Sequence, residues 1–186
     1  MPTEINFQIS CVDQEHFFVQ YSTSNSDEEE KKKDSLLALI LLALRQASNM
    51  KGKEAGSYLG GALSQIAEEG FDYFPENIRE GLSAPEESAK KRFVGLIKFD
   101  GQRGVLNFKM DANGFGLFSQ DVEIYAVRAT LFFSLYLLNL YKDSDFEDTM
   151  KKALGYCGAY ISGGYATLTN QNDLTATIMD ELGMPL

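Results

Sequence analysis

The sequence predicts an α+β fold: an antiparallel sheet of about four strands, drawn as two hairpins, packed with four or five helices. Three observations carry this reading. Two pairs of short segments alternate apolar and polar residues across a turn, the period of half-buried strands. Two further segments are apolar over a helical length yet too short or too interrupted to span a bilayer. Three more show apolar residues at helical spacing, punctuated by glycine and proline.

The first hairpin lies at the start of the chain. Ile5, Phe7, Ile9 and Cys11 share one face, and Asn6, Gln8 and Ser10 the other. After a turn over 12–15, Phe17, Val19 and Tyr21 resume the pattern to Thr23. The run DEEEKKKD, Asp27 to Asp34, reads as a solvated loop or the exposed first turn of a helix. Asp34 or Ser35 is placed to cap a helix over Leu36–Asn49. Its start, Leu36 to Leu44, is wholly apolar, which makes it a core helix covered on several sides. A second helix follows Gly52, with a stripe of Ala55, Tyr58, Leu59, Ala62, Leu63, Ile66 and Ala67.

Residues 71–90 read as a connector with a short helical turn around Asn77–Leu82. The second hairpin pairs Phe93–Phe99 with Val105–Met110 across DGQRG. Both faces of Phe93–Phe99 are apolar, as in a strand covered on both sides. Ser119 caps a long helix to about Tyr141. Phe146, Met150, Ala153, Leu154, Cys157 and Ile161 form the stripe of the next. A C-terminal helix over 172–183, capped by Asn172 or Asp173, carries Leu174, Ile178 and Leu182.

The whole, 1–186, reads as a single compact domain. Its halves, 1–70 and 91–165, run in the same order. GSYLGG, from Gly56, also sits opposite GAYISG, from Gly158. An internal ββαα duplication would produce this, and so would chance alignment of common motifs.

No catalytic motif assembles. Gly158 and Gly163 have the spacing of a phosphate-binding loop, but Gly164 and Tyr165 stand where lysine and a hydroxyl residue are needed, and the stretch ends a helix. Packing is the better reading: Gly56 and Gly60, like Gly158 and Ser162, are four apart on one face, so helix backbones can approach closely. The DANGFG stretch at Asp111 fails as a calcium loop, because Phe115 and Val122 fall where oxygen ligands belong. One histidine, His16, and two distant cysteines, Cys11 and Cys157, offer neither a triad nor a metal cluster. No catalytic residue, metal or cofactor is therefore expected.

The net charge of −10, from 17 basic and 27 acidic residues, argues against a nucleic-acid or anionic-membrane partner. With reduced thiols and no basic-then-apolar leader, it points to a cytoplasmic protein. Three residues stand out as binding candidates. Arg128 lies in a mostly apolar helix with no acid three or four residues away, so it needs water or a tertiary carboxylate. Tyr58 and Tyr160, matched by the repeat, are core or interface aromatics, or else ligand-stacking rings. The expected function is non-enzymatic binding of a protein partner or self-association, as an adaptor, chaperone or neutralising partner. The alternative is a small-molecule-binding or catalytic protein with a pocket between sheet and helices, near Arg128 and the tyrosines.

Overall fold

The structure, a computed structural model, describes residues 2–73, 89–116 and 121–186. Its strands are β1 (Thr3–Cys11), β2 (Phe17–Thr23), β3 (Lys91–Asp100) and β4 (Val105–Asn113). Its helices are α1 (Glu28–Asn49), α2 (Lys53–Glu69), α3 (Val122–Leu140), α4 (Glu147–Ser162) and α5 (Gln171–Glu181), with a 3-10 turn over Gly70–Tyr73. This is the predicted α+β fold. The expected turn at Asn77–Leu82 and the Ser119 cap lie outside the described residues.

The strands run β2-β1-β3-β4, all antiparallel. The two hairpins join through β1 and β3, in register from Thr3 opposite Phe99 to Cys11 opposite Lys91. Alternation decides the faces. Ile5, Phe7, Ile9, Phe17, Phe93 and Ile97 are buried under the helices, while Asn6, Gln20, Lys98 and Asn107 face solvent. Phe17 stacks on Phe132 with centroids 4.6 Å apart, and Phe7 meets Phe133 at 5.1 Å. Phe7 also lies directly against the Cα of Gly95, its cross-strand partner, in space any side chain there would need. On the outer face of Phe93–Phe99, Val94 and Leu96 are half-buried. Their β-propensity suits the pleat.

Leu36 to Leu44 are all buried, as the apolar run requires. The start of α1 differs from the expectation. Asp27 caps the helix, its carboxylate accepting from the Glu30 N–H at 3.1 Å. The charge run is therefore two helical turns. Glu28, Glu29 and Glu30 sit at the positive end of the dipole, and Lys31 and Lys32 reach back to Glu28 and Glu29 at 3.6 and 3.1 Å. Asp34 is buried and accepts from Thr23 Oγ1 at 2.5 Å and Asn25 Nδ2 at 2.8 Å, fastening α1 to the end of β2. Ser35, the other expected cap, donates to the Lys31 carbonyl at 3.0 Å.

Helices α2 and α4 make the most extensive helix contact of the fold. They cross where small residues let them. A Cβ on Gly60 would strike Ser162, and one on Gly158 would strike Ser64 and lie 2.7 Å from the Gly60 carbonyl oxygen. The contact is thus reciprocal: Gly60 and Ser64 on α2 meet Gly158 and Ser162 on α4. Gly56, expected in this face, has open space around it. Gly163 ends α4 and Gly164 follows with φ 76, so GAYISGGY closes a helix at a packing site. The hairpins and this crossing stand as a ββαα repeat would place them, and two unrelated ββαα units would stand the same way.

The last helix, α5, guards the sheet's β4 edge. Asn172 donates to the Leu106 carbonyl at 3.0 Å, and Arg45 donates to that of Phe108 at 3.2 Å while lying over its ring. Arg45 is held in turn by Gln171 Oε1 at 2.7 Å. Two carbonyls of the β4 edge, those of Leu106 and Phe108, are so occupied. Among the described residues one helix, α3, is long and apolar enough to cross a membrane, and 67% of its apolar window is buried within the fold. It is a core helix of this protein, packed on the inner face of the sheet.

Candidate functional site

The stripe that packs α2 leaves Tyr58 at its margin. Leu59, Leu63 and Ile66 are buried, whereas Tyr58 is 60% exposed. It was expected among the apolar stripe, and the structure turns it outward instead. The same happens on α3. Tyr125, Ala126 and Val127 face the core, and Ile124 projects to solvent at 45% exposure. The two helices flank a groove of about 480 Å³ lined by Glu54, Ala55, Tyr58, Glu123, Ile124, Val127 and Arg128. Two of the three candidate residues, Tyr58 and Arg128, therefore meet.

Arg128 is half-buried on the groove wall. A structural salt bridge was one expectation for it; among the described residues no carboxylate comes within ion-pair distance. Its charge is felt by Tyr73 at the end of α2. Burial first, then Tyr58 and the Glu69 carboxylate, push the Tyr73 phenol up, and Arg128 pulls it back. Glu123 is fixed on the other wall, where Oε1 accepts the Lys51 N–H at 2.7 Å. The groove thus presents an apolar strip with a cation and two carboxylates beside it.

Tyr160 belongs elsewhere. Its hydroxyl donates to Glu181 Oε1 at 3.3 Å, and its ring meets Tyr165 edge-on at 6.2 Å. This ties α4 to the end of α5, away from Arg128. His16 braces the first hairpin through Asp13, with Nδ1 at 2.8 and 2.9 Å from the two carboxylate oxygens. Both cysteines are buried, and burial raises each thiol to about 12, which removes them as nucleophiles at neutral pH. Among the described residues no group of three or more metal-ligating side chains converges.

A smaller cleft opens where the sheet ends against the helices. It measures about 150 Å³ and is lined by Gln46, Asn49 and Met50 of α1, Phe93, Met110 and Ala112 of the sheet, and Val122, Glu123 and Ala126 of α3. Gln46 is 2% exposed, and its Nε2 has no hydrogen-bond partner.

No sequence signal marks Ile124, because a mostly apolar helix hides which residue faces out. Gln46 carried a weak one, as the first uncharged polar residue after the long apolar run of α1. No protein-family model, curated protein or solved structure matches this chain.

Proposed function

We propose that this chain is a non-enzymatic cytosolic protein that works by binding another protein, or a second copy of itself, through the groove between α2 and α3. The observation that supports this reading is the pairing of Tyr58 and Ile124, 60% and 45% exposed, across one groove with Arg128 beside them. Scattered exposed apolar side chains are ordinary. An aromatic, an aliphatic and an arginine converging on one concave strip make up the composition of an interface hot spot, with carboxylates as its polar rim. The partner inserts an apolar side chain between Tyr58 and Ile124 and brings a carboxylate to Arg128. An adaptor, a chaperone or a neutralising partner would each use such a surface, and the acidic charge of the chain selects against nucleic acid.

Affinity isolation from the native host tests this with three baits: the wild type, Tyr58→Ala and Arg128→Ala. The expected result is a stoichiometric partner, or a self-dimer, with the wild type only. A partner retained equally by all three baits contradicts the groove, and a lone monomer in every case contradicts the function.

The second reading, a small-molecule pocket between sheet and helices, is favoured by a separate observation, the cleft of about 150 Å³ that Gln46, Phe93, Met110 and Ala126 line between α1, α3 and the sheet.

A further inference from the structure

Taking the groove between α2 and α3 as the binding surface, we propose that its occupant is a second copy of this chain, docked about a two-fold axis so that Arg128 of each copy faces Glu54 of the other.

Opposite charges stand at opposite ends of the groove. Glu54 lies in the first turn of α2 and Glu123 in the first turn of α3. The bond from the Lys51 N–H to Glu123 holds those two helix starts side by side. Arg128 follows about 7 Å further along α3, at the rise of a helix. One end is therefore acidic and the other basic, with Ile124 between them and Tyr58 on the facing wall.

Such a strip is its own complement. It asks of a partner a carboxylate over Arg128, a cation over the glutamates and an apolar side chain between them. The groove itself presents that set in that order. A two-fold axis through Ile124 reverses the second copy, setting basic end over acidic end twice and seating each Ile124 against the other copy's Tyr58. In an isologous contact every favourable pair forms twice.

The two charges are open to a partner. Among the described residues neither Arg128 nor Glu54 is in an ion pair. Arg128 is half-buried, so its guanidinium has already lost part of its water. Glu123 is engaged by the Lys51 N–H, which leaves the exposed Glu54 as the carboxylate for the second copy's arginine.

The net charge of −10 repels a like copy at long range. At about 0.15 M salt the Debye length is about 8 Å, so that repulsion is largely screened while charges in contact are screened less. The contact is small for a protein interface, and small interfaces are weak, so the dimer is expected to half-form at about 10–100 μM.

Sedimentation equilibrium of the full chain at that salt, from about 1 μM to about 1 mM, reads the mass directly. The wild type is expected to double in mass across the range. Arg128→Glu and Glu54→Arg each set like charges opposite one another, and each alone should weaken the dimer about tenfold or more. Mixed in equal amounts, the two variants should pair at close to wild-type strength. The carboxylate introduced in one then faces the guanidinium introduced in the other, and the second contact keeps the native pair. A variant that had merely lost its fold would gain nothing from mixing. A wild type monomeric throughout overturns the proposal, as does a dimer that survives Arg128→Glu or a mixture no stronger than its parts. A monomeric wild type that captures a different protein through Tyr58 and Arg128 overturns the self-pairing and leaves the groove reading standing.

Discussion

The crossing of α2 and α4 makes a quantitative demand on Gly158. A methyl group there would lie 2.7 Å from the Gly60 carbonyl oxygen and 2.8 Å from the Ser64 nitrogen. Both are backbone atoms, so no side-chain rotation relieves the contact, and the helices must separate by about 0.7 Å to restore ordinary packing. Overpacking of this kind costs about 1–3 kcal/mol. A backbone clash belongs at the upper end, and alanine returns about 1 kcal/mol of helix propensity. Gly158→Ala should therefore lose about 2 kcal/mol. In a chain of this length that lowers Tm by about 4–8 °C. Gly56→Ala is the matched control, since a Cβ there meets nothing within 4 Å. It should gain about 0.5–1 kcal/mol by restricting the unfolded chain. Urea denaturation followed by far-ultraviolet circular dichroism measures both, with Gly60→Ala as the reciprocal case. The double variant Gly60→Ala, Gly158→Ala should lose less than the sum of its parts, because one separation relieves both contacts. A Gly158→Ala protein as stable as Gly56→Ala would refute the close crossing.

Other perturbations follow from the same structure. The thiols of Cys11 and Cys157 are raised by burial from 9.0 to about 12, so their contribution to stability is complete below pH 9 and is lost as pH rises toward 12. At pH 10 the pair should lower unfolding free energy by about 3 kcal/mol, and Cys11→Ala, Cys157→Ser should flatten that part of the pH–stability curve. Neither thiol should react with iodoacetamide until the protein unfolds. Asp34→Ala strands the Thr23 and Asn25 donors and should cost about 2–3 kcal/mol by denaturant titration, with Asp34→Asn recovering part of it. Arg45→Ala frees the Phe108 carbonyl and the Gln171 side chain together; amide hydrogen exchange should speed up in α5 and β4 while β1 stays protected.

Much of the fold was legible because its signals are local. The alternation of Ile5, Phe7, Ile9 and Cys11 fixes a face whatever packs on it, and a run such as Leu36–Leu44 has few homes outside a core. The start of α1 was not, because DEEEKKKD fits a loop as well as a helix until Asp27 is seen receiving the Glu30 N–H. The pairing of glycines was half legible. The small residues of GSYLGG and GAYISG announced close packing, but only the crossing geometry shows that Ser64, and not Gly56, completes the α2 face.

The candidate site was less accessible still. Tyr58 lay in the α2 stripe, and a stripe's period does not tell a buried centre from an exposed margin. Arg128 was conspicuous as a charge in an apolar helix. The groove around it depends on how α2 and α3 lie together, which no local pattern encodes. Tyr160 was linked to Tyr58 by sequence likeness alone, and the fold separates them.

Hydrogen exchange of the wild-type protein with and without its isolated partner tests the functional reading most directly. The account predicts new protection concentrated in α2 around Glu54–Tyr58 and in α3 around Glu123–Arg128, with the outer face of the sheet unchanged. Protection on the outer face around Gln20, Asn6 and Lys98, with both helices unchanged, would contradict it.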